Sequence, residues 1–323
     1  MSERRNALLK GFDENKGFMK TKVERGIAQN RMGVTRLQFT DSCGEPIKNA
    51  DVHIEQKSHD FNFGCSLFLL DMDGTLYLGD QVFPGAVDFI RTLTESGRDY
   101  IYLTNNSSRA GTDYVSRLQR LGFPCRPENV FTSGMATAMY LNENFPGASV
   151  YPVGTAAFMN ELRSYGVALS DGESAQVVCV GFDTELVYEK LERAVHFLRR
   201  GAAFIAANPD WVCPMPENEV LPDCGSICAL LTAATGVEPL FIGKPNRSMV
   251  DLISAKTGVP NGQICCVGDR LYTDIAVAVN AGAVSVLVLS GETTREMLPQ
   301  SSVKPNYVLS DVMELASVLG NSQ

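Results

Sequence analysis

Histidine is scarce in this chain, with three in 323 residues. His53 and His59 precede the apolar, strand-rich part of the sequence. His196 sits among Leu191, Val195 and Leu198 at helical spacing and reads as structural. A mechanism built on a histidine nucleophile therefore has no ready residue. Basic residues are outnumbered: 28 Lys and Arg against 37 Asp and Glu leave a net charge of -9. That balance excludes the broad basic face of a nucleic-acid binder. No stretch approaches the ~18 apolar residues of a membrane span. Met1-Ser2-Glu3-Arg4-Arg5 is polar and leads into no apolar signal core, so a cytoplasmic protein is expected. The 9 cysteines are odd in number and scattered, which fits reduced thiols better than a disulfide framework. Cys213, Cys224 and Cys228 form a loose cluster, but no His lies near it and the spacing is not that of a zinc site. They read as small apolar side chains. Low-complexity segments and internal repeats are absent as well.

What is present is a globular composition. Hydrophobic residues make up 45% and charged residues 20%, enough to pack a core. The length suggests roughly two domains of ~100–200 residues. Residues 1–64 differ from the rest. Their first thirty are charged and could form one or two helices broken near Gly11 and Gly17. Val34–Thr40 and Ala50–Glu55 alternate like strands around a turn at Asp41–Pro46, which predicts a small β-hairpin.

From Leu67 onward short apolar runs alternate with helical periods. Strands are predicted at Leu67–Leu70, Asp99–Thr104, Ala148–Val153, Gln176–Gly181, Ala203–Ala207, Leu240–Ile242, Gln263–Val267 and Val284–Leu289. Helices are predicted at Pro84–Gly97, Thr112–Gly122, Met135–Phe145, Leu186–Arg200 and Ile275–Ala281. Alternation of this kind points to an α/β fold with a parallel sheet covered by helices. Such sheets carry ligands beyond the carboxyl ends of their strands. Several strands end there in polar, reactive residues: Asp71-Met72-Asp73-Gly74-Thr75, Thr104-Asn105-Asn106-Ser107, Gly243-Lys244-Pro245, and Gly268-Asp269-Arg270-Leu271-Tyr272-Thr273-Asp274. Each alone could be a strand-to-helix turn. In this order and together they leave little room for coincidence.

The set resembles the motifs of the haloacid dehalogenase superfamily of phosphohydrolases. Within it the chain is similar to the NagD and 4-nitrophenylphosphatase group, through Leu69–Tyr77, Leu103–Arg109, Ala207–Asp210, Ile242–Pro245 and Val267–Asp269. The resemblance covers residue 66 to the C-terminus. It implies a Rossmann-like core at 65–146 and 238–323 and an inserted α/β cap at 147–237; residues 1–64 stand outside it as a small N-terminal appendage of helix plus β-hairpin, with a natural or accidental fusion left open. It makes Asp71 a nucleophile that forms an aspartyl-phosphate. Asp73 becomes the general acid and then base. Gly74 lets the backbone approach the phosphate. Thr104 and Asn105 would bond the phosphoryl oxygens, and Lys244 would be a point charge on them. Mg²⁺ would be held by Asp71, Asp269 and the backbone carbonyl of Asp73. Asp274 is either a neighbouring ligand or a charge at a helix N-terminus. Asn208 and Asp210 would face the site from the cap. Trp211 could stack on a substrate ring or simply pack.

The implied activity is Mg²⁺-dependent hydrolysis of a small phosphorylated metabolite, without nucleic acid or membrane partners, and a homodimer stays open. A phosphomutase on the same core is the enzymatic alternative. Asp73 counts against a dehalogenase, which needs no acid there, and against an ion pump, which would carry Lys there and membrane spans. Val34–Gly64 resembles the segment preceding the barrel of xylanase-type glycoside hydrolases. No barrel follows, so no glycosidase activity is inferred. A carbohydrate-binding or interaction module through that segment is the alternative of another class.

Overall fold

The computed structural model describes residues 65–215 and 219–320. The helices and hairpin expected before residue 64 lie outside the described residues. From residue 65 the order is Leu67–Leu70 (β1), a short hairpin of Tyr77–Leu78 (β2) and Gln81–Val82 (β3), Ala86–Glu95 (α1), Asp99–Thr104 (β4), Gly111–Arg120 (α2), Val130–Thr132 (β5) and Ser133–Asn144 (α3). Next come Val150–Val153 (β6), Ala156–Ser164 (α4), Val177–Val180 (β7), Tyr188–Leu198 (α5), Ala203–Ala206 (β8), Val212–Pro214 (β9), Val220–Pro222 (β10), Cys224–Thr235 (α6) and Leu240–Phe241 (β11). The last stretch holds Ser248–Thr257 (α7), Ile264–Gly268 (β12), Ala276–Ala281 (α8), Val284–Val288 (β13), Tyr307–Leu309 (β14) and Val312–Gly320 (α9).

Two parallel sheets organise these elements. The first has six strands in the order β14-β13-β12-β1-β4-β5, and the second has four in the order β11-β8-β7-β6. β1 lies between β12 and β4, paired in parallel with both. Its four residues, Leu-Phe-Leu-Leu, are all buried, as expected of a strand covered on both faces. Successive side chains point to opposite faces. Leu67 and Leu69 join one apolar cluster, and Phe68 and Leu70 join another. α1 shows the matching helical pattern, burying Ala86, Phe89, Ile90 and Leu93, which is one face at i, i+3, i+4 and i+7.

The cluster around Leu67 and Leu69 also contains Val177, Cys179, Ile205 and Ile242. One face of the second sheet is therefore continuous with the core of the first. The opposite face, with Val178, Val180 and Phe204, is covered by Phe197 and Leu198 of α5 and by Cys224, Ile227, Cys228 and Leu231 of α6. Cys224 and Cys228 are core residues here, as their apolar setting in the sequence suggests.

Three local features depart from the sequence reading. β11, which leads into Lys244, pairs with β8 and belongs to the second sheet. Lys244 thus reaches the site from the other sheet than Asp71 and Asp269. Asp274 sits on a π-helical turn at Leu271–Ile275, upstream of α8, instead of opening a helix at Ile275. Trp211 is 65% exposed and so fills no core. Among the described residues no helix is long and apolar enough to cross a membrane.

Candidate active site

The loop after β1 is tightly wound. The amide of Asp71 donates to Val267 O at 2.9 Å, continuing the strand pairing, and Met72 O accepts the amide of Leu76 at 2.8 Å. Met72 itself is buried, Asp73 is exposed, and Asp71 is partly buried. Gly74 has φ +85°, and a Cβ there would lie 2.5 Å from Asp269 Oδ2. Both the left-handed backbone and the close approach require glycine. Ser290 Oγ donates to Gly74 O at 2.8 Å and closes the turn.

Three carboxylates converge at the ends of β1 and β12. Oxygens of Asp71, Asp269 and Asp274 all lie within 4.8 Å of one another. Lys244 Nζ donates to Asp71 Oδ1 and to Asp274 Oδ1, each at 2.6 Å. Asp269 Oδ2 accepts the Glu292 amide at 2.7 Å, and Asp274 Oδ2 accepts the Arg270 amide at 3.1 Å. Burial pushes the Asp71 carboxyl well above its usual range, Asp274 and Asp269 push the same way, and Lys244 opposes them. Asp269 is pushed up to about 6 by burial and by Asp274. Burial works against the Lys244 ammonium, but Asp274 and Asp71 outweigh it and its pKa rises. One ammonium among three carboxylates, two of them buried and Asp71 partly so, leaves an excess of negative charge. Such a cluster of hard oxygens fits a small divalent cation.

Asp73 is separate from that cluster and open to solvent. Desolvation by the surrounding protein raises its pKa, while Arg117, Arg270, Arg109 and Lys244 pull it back. An exposed carboxyl that keeps its proton more readily has the chemistry of a proton donor.

The loops opposite are joined by amide groups. Thr104 is buried and its Oγ1 accepts the Asn106 amide at 3.1 Å. Asn105 Nδ2 donates to Asp210 Oδ2 at 2.7 Å and to Lys244 O at 2.9 Å, and Asn105 Oδ1 accepts the Lys244 amide at 2.8 Å. Asn208 is fully buried; its Nδ2 donates to Asp210 Oδ2 at 2.9 Å and to Asp223 Oδ1 at 3.0 Å, and its Oδ1 accepts from Ser107 Oγ at 2.9 Å. The structure therefore gathers Asp71, Gly74, Lys244, Asp269 and Asp274 at one point. Asp73, Asn105 and Asp210 lie on the surrounding loops, Thr104 ends β4, and Asn208 is held in the wall.

Known proteins resemble this chain over most of its described length. A haloacid dehalogenase-like hydrolase family model matches residues 68–168, and a HAD-hydrolase-like model matches residues 241–315. An acid sugar phosphatase of Staphylococcus saprophyticus is 35% identical over 252 residues, covering 78% of this chain and 97% of that protein. This chain belongs to the haloacid dehalogenase-like hydrolases. Among solved structures, 4-nitrophenylphosphatase from Thermotoga maritima superimposes with a TM-score of 0.76 at 42% identity, covering 79% of this chain and 98% of the other. NagD from E. coli K-12 gives a TM-score of 0.72 at 29% identity, covering 77% and 98%. The hydrolase is thus a phosphatase of the NagD type.

Some residues of this hydrolase's site escape a motif reading. The sequence marks Arg270 only as a neighbour of Asp269. In the fold its Nε lies 2.9 Å from Glu292 Oε2 and its Nη1 lies 3.9 Å from Asp210 Oδ1. The signal for it is its position directly after Gly268-Asp269. Glu292 and Ser290 follow β13 and carry no signal of their own. Asp223 lies outside every motif. It caps α6 and is pushed up to about 6, first by burial, with Asn208 pulling it down.

Asp223 supplies a pH prediction. Its folded pKa is above the ordinary 3.8, so its contribution is fully present below that value and is lost as pH rises through about 6. A shift of about two units is on the order of 3 kcal/mol. Asp223→Asn, which still caps a helix well, should gain thermal stability relative to the parent between pH 4 and pH 7. Thermal midpoints of both proteins across that range check it. A constant difference would assign the pH dependence elsewhere.

Proposed function

We propose that this hydrolase releases phosphate from small phosphate monoesters, sugar phosphates and aryl phosphates among them, through a covalent phosphate on Asp71. The observation that carries the reading is the pairing of Asp71, inside the acidic cluster and 2.6 Å from Lys244, with the separate, solvent-facing Asp73 on the same loop. An Asp71 oxygen attacks phosphorus in line, and the bond from phosphorus to the leaving oxygen breaks. Asp73 gives that oxygen a proton. Asp73 then takes a proton from water, which attacks the phosphorus, and Asp71 is released with inorganic phosphate. Thr104 and the loop after it face the phosphoryl oxygens, and Lys244 offsets their charge.

Asp71, Asp269 and Asp274 would hold Mg²⁺, with the Asp73 backbone carbonyl beside them. When bound, the ion would neutralise charge on the phosphoryl oxygens. In its absence the like charges of the cluster destabilise the fold. Mg²⁺ should therefore raise the thermal midpoint, with about 2.7 kcal/mol of stabilisation at a hundredfold excess over Kd. Asp269→Asn should remove most of that rise. A midpoint indifferent to Mg²⁺ in the parent would count against a cation site here.

We assign residues 147–237, together with β11, which pairs with β8 in the second sheet, to a cap over a core of 65–146 and the chain after β11, with 1–64 as an appendage. The relatives named for sugar phosphates and for 4-nitrophenyl phosphate support the substrate class. Trp211, exposed just after Asp210, offers a flat apolar face to substrate. Trp211→Ala should change the relative rates among substrates more than the rate on 4-nitrophenyl phosphate. An equal fall for all substrates would make it structural. The direct test of the whole reading is phosphate release from a panel of sugar phosphates, nucleotides, phosphoglycolate, pyridoxal phosphate and 4-nitrophenyl phosphate, with and without Mg²⁺. No release from any of them would refute it.

A further inference from the structure

The Asn105 side chain is the junction of the loops around Lys244. A carboxamide has two N–H donors and one carbonyl oxygen. Both donors are used, one on Asp210 Oδ2 at 2.7 Å and one on Lys244 O at 2.9 Å, while Oδ1 takes the Lys244 amide at 2.8 Å. The lysine main chain is thus bracketed on both sides by one side chain. Ser133 Oγ donates to Asn105 O at 2.6 Å and holds the bracket itself in place. Gly243 completes the fit: a Cβ there would lie 2.5 Å from Ala207 O and 2.7 Å from Asn105 Oδ1. Asp210, the other end of the bracket, is fixed by Asn208, whose carboxamide is fully buried. Asn105 belongs to the first sheet's loops, while Asp210 and the strand before Lys244 belong to the second sheet.

We propose that Asn105 is a positioning residue. Its carboxamide ties the Lys244 main chain to the Asp210 loop, so that the ammonium reaches Asp71 in the register set by both sheets. With its side-chain N–H groups committed, Asn105 acts through Lys244 and not as a side-chain ligand of the phosphoryl group. This rests on the phosphatase reading above.

The test uses full-length protein, 4-nitrophenyl phosphate with Mg²⁺, and the variants Asn105→Ala, Asp210→Ala, their combination, and Asp210→Asn. Misplacing a reacting group by about 1 Å can cost about 10²-fold in rate. Asn105→Ala is expected to lower kcat by about that factor while KM changes by less than about threefold. Asp210→Ala should lower kcat similarly, and the double variant should be no worse than the poorer single one, because both break one linkage. Asp210→Asn, which still offers an oxygen to Asn105 Nδ2, should recover most of the loss. If Asn105→Ala fails to fold, Asn105→Asp keeps the size and the acceptor for the Lys244 amide but loses both donors, and the same fall in kcat is expected. A raised KM with kcat intact would mean direct substrate contact and overturn the proposal. Losses that multiply in the double variant would overturn it too. Either result leaves the phosphatase reading standing, whereas a parent protein without activity would remove that reading instead.

Discussion

Asp71→Asn should reduce turnover by about 10⁴-fold or more while leaving the protein folded. An amide oxygen is a poor nucleophile, and no other carboxylate can replace Asp71. Asp269 and Asp274 share its cluster, but Asp269 is held by the Glu292 amide and Asp274 by the Arg270 amide and Lys244. Folding should survive because the substitution removes one of the three crowded charges, and Lys244 keeps Asp274 as a partner at 2.6 Å. In metal-free buffer the variant should melt no lower than the parent, since burial and like charges already penalise the ionised Asp71. Steady-state rates on 4-nitrophenyl phosphate with Mg²⁺, together with thermal midpoints in EDTA, check both parts. Substantial turnover in the variant would remove Asp71 from its role.

Asp73→Asn should show a loss that depends on the leaving group. For a sugar phosphate the departing alkoxide needs a proton, and loss of a general acid costs about 10²–10⁴-fold. For 4-nitrophenyl phosphate the departing phenolate needs little help, so the first chemical step should be nearly intact. The second step still lacks its base. The variant should therefore release a rapid burst of about one equivalent of 4-nitrophenol and then stall, with phosphate left on Asp71. Stopped-flow absorbance reads the burst, and mass spectrometry of the quenched protein reads the added phosphate. Equal losses for both substrates with no burst would show that Asp73 does not assist departure. The solvent-facing position of Asp73, outside the Asp71–Asp269–Asp274 cluster, is what separates its expected behaviour from that of Asp71.

Much of the core was legible in the chain because its signals are local. Leu67–Leu70 is apolar at every position, and only a strand buried on both faces wants that. The helices that alternate with such strands show their own apolar period, as α1 does. Short elements were less legible. Val130–Thr132 has three residues, too few to show a period, and it exists as a strand because β4 offers it an edge. The β9–β10 hairpin is mostly exposed, so no pattern of burial marks it. Helices α6 and α7 have weak amphipathic contrast because their small and apolar residues run around much of the surface.

The candidate site divides along the same line. Asp71, Asp73, Gly74 and Asp269 are readable because each is fixed by the strand directly before it, and a strand end projects its next residues whatever lies around it. The partners of those residues are set by contacts between distant segments. Asn105 meets Lys244 across 139 positions, and nothing near either residue records that the carboxamide is spent on a main chain. Lys244 enters from the second sheet because β11 finds its hydrogen-bond partners on β8, a choice made by the available edge and not by the apolar run itself. Asp223 and Glu292 join the site only through the folded path of the chain. The residue types and their order carry the chemistry. The pairing of sheet edges and the packing of loops settle which donors remain free to use it.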